Sequence, residues 1–379
     1  MLPARQSHRL SLADVLPAAL DSLSGRDNAL SLPRADSVVV VLVDGLGSAA
    51  LRARAGHARA LSRRFTRRDV IDSGFPTTTA AAIATLTTGA RPGEHGLVGY
   101  TVLDRANDRV VNQLSGWDDG MAPAEWQLRP TVFERAAEEN VRAYSVGAPR
   151  YRTSGFTEAV LRGSEYRDAK DIADRFAEAR AILDGPERAL VYLYVPELDV
   201  AAHAYGWASD RWLAALEELD SALAAFERTL RRGEGLLVTA DHGVLDVPAT
   251  AHVLFDRDPA LIEGVRHVAG DPRCLQLHLE PGRSEADVAR LLSAWNEAEG
   301  RRAWIADRDE AIRSGWFGDV HPETRGRIGD VIVAARGLIA YYDSRDPSPG
   351  PRRMIGQHGS LTAEELLVPL VRLGAYERG

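Results

Sequence analysis

The chain has 379 residues, 45% of them apolar and 26% charged, which allows a large buried core and excludes a disordered tail or a disulfide-stapled mini-domain. Its 46 lysines and arginines stand against 54 aspartates and glutamates, a net charge of −8, which argues against a protein that holds nucleic-acid polymers or anionic membranes by neutralising phosphates. Cys274 is the only cysteine, so an intramolecular disulfide and a cysteine-built metal cluster are both excluded. No apolar run reaches the roughly 18 residues of a membrane helix, the N-terminal stretch has no continuous apolar segment, and a cytoplasmic protein is expected. Lys170 is the only lysine, which leaves little room for lysine-based covalent catalysis.

In chain order, Ser37 to Val43 (SVVVVLV) is the first apolar, β-branched run and predicts a buried parallel strand. Phe75 to Gly89 (FPTTTAAAIATLTTG) follows: Pro76 ends a strand or loop, three threonines come next, and a small-residue helix starts near Ala80. A weaker strand covers Arg142 to Val146, and a strong one Ala189 to Val195 (ALVYLYV). From Arg211 to Arg232, leucines and Phe226 recur at helical spacing with Glu and Arg between them. Gly235 to Thr239 (GLLVT) predicts another strand. Residues 251–342 differ in pattern, with strand-like runs at Leu275 to Leu279 and Asp330 to Ala335 around a helix from Ser284 to Trp295. They predict a smaller α+β insertion or cap. The Pro/Gly-rich stretch Asp346 to Pro351 predicts a loop delivering the tail Gly356-Gln357-His358-Gly359. Strands alternating with helices predict one doubly wound α/β domain over 1–379, its mostly parallel sheet flanked by helices and its ligand site beyond the carboxyl ends of the strands.

The residues at those ends carry chemistry. Asp44 follows the first strand, Glu197 and Asp199 the ALVYLYV strand, and Asp241-His242 the GLLVT strand. Asp199 and His203 are four residues apart, one helical turn, so both can face one ion. Asp44 and His358 complete a set of three Asp and three His, enough for two tetrahedral sites that lack only a threonine oxygen, substrate oxygen or water. A threonine at a helix start normally caps the helix. Here the alternative is a hydroxyl nucleophile activated by metal ions, with the helix N-terminus receiving the anion it attacks.

The motifs Val43-Asp44-Gly45, FPTTT…TLTTG with RPGEHG, ELDVAAHAYG, TADHG and GQHG occur in an order that resembles the alkaline phosphatase superfamily, and within it the nucleotide pyrophosphatase/phosphodiesterase branch. The resemblance implies two zinc ions, one held by Asp199, His203 and His358 and the other by Asp44, Asp241 and His242; manganese or iron suits similar oxygen–nitrogen sites. It implies Thr79 as nucleophile between the metals, with Thr78 as the alternative register, a phospho-threonine intermediate, and retention of configuration at phosphorus. The substrate implied is a small, nucleotide-like phosphodiester or pyrophosphate.

The sequence departs from that pattern on the substrate side. Ala80 stands where the branch carries an aromatic residue, and Tyr100 stands at or near the position of a phosphoryl-binding asparagine. Tyr100 is therefore expected to contact substrate, with Asn112-Gln113 as alternative donors. Tyr194 matches a base-stacking tyrosine. Trp117 and Trp126 are candidates for a pocket wall. Arg150, Arg152, Arg162 and Arg167 beside Tyr151, Phe156 and Tyr166 read as a solvated arginine face or as ligand contacts. His95 reads as a structural loop histidine. The competing functions are a phosphomonoesterase or phosphonate hydrolase on the same metals, and a non-enzymatic binding module. Retention of every candidate ligand disfavours the last.

Overall fold

The run SVVVVLV forms β1 (Ser37–Val43), buried along its whole length because both faces of a parallel sheet are covered. The computed structural model describes residues 2–3, 9–118, 120–346 and 350–378. β1 lies at the centre of a seven-stranded sheet. On one side it pairs in parallel with β7 (Ala189–Val195), which is followed by β5 (Arg142–Gly147) and the edge strand β6 (Glu165–Asp168). On its other side comes β8 (Glu234–Thr239), also parallel, then the antiparallel β17 (Leu367–Gly374) and the short β2 (Val70–Asp72). The mostly parallel sheet flanked by helices is the α/β architecture expected.

The helix predicted over Arg211 to Arg232 runs from Asp210 to Glu227, with Trp212, Leu216, Leu219, Leu223 and Phe226 on its buried face. It stops early because the Thr229 hydroxyl and amide both donate to the Phe226 carbonyl, satisfying an acceptor that a further turn would have used. Helix Thr79–Thr88 is buried at every position, which its alanines and threonines permit.

A second sheet is antiparallel throughout. Its order is β13 (Ala303–Asp307), β14 (Val331–Ala335), β12 (Cys274–Leu279), β11 (Val265–Asp271), β3 (Thr101–Asp104) and β4 (Arg109–Asn112). Four strands come from the 251–342 segment, and the β3–β4 hairpin joins from outside it. Helix Glu285–Glu299, opened by a Ser284–Asp287 capping box, packs Leu291 and Trp295 into this layer. Two further two-stranded ribbons are formed by β10 (His252–Leu254) with β15 (Ala340–Tyr342), and by β9 (Leu245–Asp246) with β16 (Gly356–Gln357). The second ribbon delivers His358. Of the loop expected at Asp346 to Pro351, residues 347–349 lie outside the described residues, and Gly350–Arg353 is one helical turn. No helix among the described residues is long and apolar enough to cross a membrane.

Candidate active site

Asp44, Asp199 and Asp241-His242 belong to loops or helix starts that follow β1, β7 and β8, which are neighbours in the sheet. That adjacency gathers them at one sheet edge. Asp199 and His203 lie on helix Glu197–Tyr205, one turn apart, with His203 Nε2 3.1 Å from Asp199 Oδ2. His358 Nε2 lies 3.3 Å from His203 Nε2 and 3.9 Å from Asp199 Oδ1. His242 Nε2 lies 3.5 Å from Asp44 Oδ1, 3.4 Å from Asp241 Oδ2 and 3.2 Å from Thr79 Oγ1. Asp44, Asp241 and His242 converge as one group of potential ligands, and Asp199, His242 and His358 as another. His242 thus stands between the two halves, its ring stacked on His358 at 3.7 Å.

The remaining contacts orient these groups. His203 Nδ1 is 2.8 Å from the Gly356 carbonyl, His358 Nδ1 is 2.8 Å from the Thr77 carbonyl, and His242 Nδ1 is 3.3 Å from the Gly243 carbonyl. With Nδ1 turned to a carbonyl, each ring directs its Nε2 to the centre, where the neutral form of the imidazole could bind a cation. Asp241 Oδ1 accepts from the Gly45 and His242 amides, at 3.0 and 2.9 Å, and the Tyr194 hydroxyl donates to Asp44 Oδ2. Their other oxygens, Asp44 Oδ1 and Asp241 Oδ2, together with Asp199 Oδ1, are buried and make no hydrogen bond among the described residues.

Such orphaned carboxylate oxygens beside imidazole nitrogens fit a bound cation. Ligands at zinc bond lengths in a tetrahedral shell lie roughly 3.3 Å apart, close to most of these spacings. Electrostatics agrees. Burial, then Asp241 and Asp199, pushes Asp44 well above the carboxylate range; burial, outweighing His242, raises Asp241. Burial also pushes Asp199 up, but His203, His358 and His242 outweigh it and hold Asp199 below the usual range. Burial lowers His203, and Asp199 more than restores it. His358 is pushed well below the imidazole range by burial and by His242.

The three threonines are separated by their surroundings. Thr77 holds the His358 loop: its hydroxyl donates to the Ser360 carbonyl and accepts from the Gly359 amide, at 2.7 and 3.0 Å. Thr78 is the N-cap residue of its helix but makes no side-chain cap bond, and its hydroxyl faces Asp271. Thr79 alone stands against the ligand groups. Phe75 anchors the run between Trp316 and Phe317, at ring distances of 5.0 and 5.2 Å.

A cleft of about 910 Å³ opens over this centre, lined by Asp44, Thr78, Thr79, Tyr100, Tyr194, Asp199, His203 and His358 among others. Tyr100 is 39% exposed at its wall. Beyond Tyr194 the wall turns apolar and aromatic, with Tyr151 edge-on to Tyr194 at 5.8 Å and Phe156, Tyr166 and Leu114 around them. Several expected contributors lie elsewhere. Asn112 accepts the Leu114 and Ser115 amides in a turn, Gln113 is fully buried, and neither lines the cleft. Trp117 and Trp126 pack into the core, Trp126 beneath the Arg327 guanidinium at 3.8 Å, because their large apolar faces are worth more there. Arg152, Arg162 and Arg167 pair with Asp168, Glu134 and Glu165, and Arg150 folds over Tyr151. That segment supplies aromatic rings to the cleft while its arginines form a paired outer face. Ala80 is buried in the core and faces away from the cleft. His95 is also buried, 3.0 Å from the Thr85 hydroxyl, and burial lowers it to about 3. Glu197 pairs with the buried Arg175 at 2.7 Å, a structural contact.

Asp271 has no counterpart among the sequence expectations. It is 6% exposed, it lines the cleft, and burial pushes it up to about 7. It ends β11 at a tight Asp-Pro-Arg turn, and only that turn is visible in the sequence.

A family model for type I phosphodiesterase/nucleotide pyrophosphatase matches residues 38–361. A phosphopentomutase from Anaeromyxobacter dehalogenans is 35% identical over 128 residues, 32% of this chain and 30% of that protein. Venom phosphodiesterase 2 from Crotalus adamanteus is 25% identical over 183 residues, 46% of this chain and 22% of that protein. The chain therefore matches less than a third of the length of these relatives. Among solved structures, murine ectonucleotide pyrophosphatase/phosphodiesterase 5 aligns with a TM-score of 0.69 at 16% identity, over 89% of this chain and 88% of that one. Phosphonoacetate hydrolase from Sinorhizobium meliloti 1021 aligns with a TM-score of 0.68 at 18% identity, over 90% and 91%. At such identities the structural likeness is one of fold. With its sheet, its strand-end carboxylates and the match from residue 38 to 361, the chain belongs to the type I phosphodiesterase/nucleotide pyrophosphatase family of the alkaline phosphatase superfamily.

Proposed function

We propose that the protein hydrolyses small phosphodiesters or pyrophosphates of nucleotide-like shape, with Thr79 as nucleophile. The observation that carries this reading is the Thr79 hydroxyl beside two convergent Asp/His groups, at the floor of a cleft with an aromatic wall. Asp199, His203 and His358 would hold one zinc and Asp44, Asp241 and His242 the other, with Thr79 at the junction; manganese or iron would suit the same donors. Bound there, the metals would supply Lewis-acid charge neutralisation and favour the ionised hydroxyl.

The chain's own residues do the rest. Thr79 Oγ1 forms a bond to phosphorus as the ester P–O bond breaks and the leaving oxygen departs with its electron pair. Water then cleaves the threonine–phosphorus bond, restores the hydroxyl and gives net retention. The Thr79 amide, first in helix Thr79–Thr88 and at the cleft, has no intrahelical partner and no side-chain cap from Thr78, so it can donate to a phosphoryl oxygen. Tyr151, Phe156 and Tyr194 offer ring faces and edges to a base-sized group. The arginines that line the cleft are engaged elsewhere, Arg266 by Asp108 and Glu280, Arg345 by the Asp343 carboxylate and Arg352 by the Asp343 carbonyl, so none is held ready to neutralise the second negative charge of a monoester, which favours a diester.

The test compares bis-p-nitrophenyl phosphate with p-nitrophenyl phosphate on zinc-loaded protein. The diester is expected to be preferred, and Thr79→Ala to lose at least about 10³-fold in kcat while keeping its metal. Preference for the monoester, or full activity in Thr79→Ala, overturns the proposal.

A further inference from the structure

Every orphaned carboxylate oxygen at the centre except one belongs to a group of convergent ligands. The exception is Asp271, which lies in neither ligand group, although its Oδ2 is buried and accepts no hydrogen bond among the described residues. A buried carboxylate oxygen without a partner is rare and calls for an explanation, even where, as here, the Tyr100 amide and the Thr78 hydroxyl serve the rest of the carboxylate. The adjacent basic residue, Arg273, is turned away into a bidentate pair with Glu365 at 2.8 and 2.9 Å, and among the described residues no arginine is paired with Asp271. Its neighbours are the Tyr100 amide, the Thr78 hydroxyl and, at longer range, His203 and Glu365.

Its position is also defined. A Cβ on Gly359, the residue after His358, would lie 2.9 Å from Asp271 Cβ, so β11 and the His358 loop touch. Asp271 therefore stands at the His203–His358 end of the cleft, whereas Tyr194 and its aromatic neighbours stand at the Asp44 end. A substrate with phosphorus over Thr79 would send one arm toward the rings and the other toward Asp271.

We propose that Asp271 determines specificity by accepting a protonated amine on the second arm of the diester, so that amino-alcohol phosphodiesters are the favoured substrate class. An ammonium brings both the missing charge and three donors, where a hydroxyl brings one donor and no charge. An anionic arm would instead meet a desolvated like charge.

The inference rests on the phosphodiester reading, and binding measurements separate the two. Zinc-loaded Thr79→Ala protein is titrated calorimetrically with phenyl 2-aminoethyl phosphate and with phenyl propyl phosphate, which differs by CH₃ in place of NH₃⁺. The aminoethyl diester is expected to bind about 10-fold tighter, and the ratio to fall to about 1 when Asp271→Asn is added. The first ratio needs no second substitution, so it stands whether or not the Asn variant folds. Equal binding of the two diesters, or a preference that survives Asp271→Asn, overturns the assignment of Asp271 and leaves the phosphodiester reading standing. If neither diester binds to metal-loaded protein, both fall together.

Discussion

Thr77, Thr78 and Thr79 are indistinguishable by type, and their different tasks come from what each one meets. Thr77 meets the His358 loop, Thr78 the Asp271 carboxyl, and Thr79 the His242 imidazole. The sequence narrows the proposed nucleophile to this run, and only tertiary contact separates its members. Asp271 shows the opposite case, a residue with no motif around it whose behaviour is set by burial. Its folded value of about 7 stands above the ordinary value of about 3.9. Between those two values the folded chain keeps a proton that the unfolded chain has released, so stability falls as pH rises through that window. Metal-free Asp271→Asn is therefore expected to be more stable than the parent at about pH 8, by at most about 4 kcal/mol, with the gap closing toward about pH 4. Urea unfolding at the two pH values checks this, and a gap that is the same at both excludes a raised Asp271.

At the scale of elements, the two sheets are joined beside the site by a buried ion pair. Arg273, in the turn between β11 and β12, meets Glu365, whose Oε1 also accepts the Ser360 amide and whose backbone carbonyl accepts the Gly243 amide at 2.8 Å. One glutamate thus fixes the loops that carry His242 and His358. Gly243 is held so closely that a Cβ there would lie 2.0 Å from the carbonyl oxygen of the neighbouring Glu364, which only glycine accommodates. Arg273→Leu leaves Glu365 buried without its counter-charge and is expected to cost roughly 3–5 kcal/mol, measured as a lower urea midpoint, and to weaken zinc binding in a chelator competition. Unchanged zinc affinity would confine the pair to stability. Elements with a strong internal pattern were legible in the sequence: SVVVVLV, ALVYLYV and GLLVT became β1, β7 and β8. β17 was not, because Pro369 and Arg372 interrupt its apolar run. Pro369 is tolerated where β17 pairs only with the three-residue β2 and has not yet reached β8.

At the scale of the molecule, the fold gathers Asp44, Asp199 and Asp241 into one buried centre, where like charges oppose one another and a bound cation would relieve the repulsion. Binding to the folded state alone stabilises it, so chelation is expected to lower the melting temperature by roughly 5–10 °C and zinc to restore it, as read by calorimetry. A melting temperature indifferent to chelator would remove the metals from the account. The sequence by itself determined the α/β class, the strand-end carboxylates and the six Asp and His candidates, because strand patterning and the residues at strand ends are local properties of the chain. Only the tertiary structure decided that β8, β1 and β7 are neighbours, that Trp117 and Trp126 serve the core, and that Asp271 enters the cleft from the second sheet. Those outcomes depend on which surfaces meet across long stretches of chain, and neither spacing nor periodicity records such a meeting.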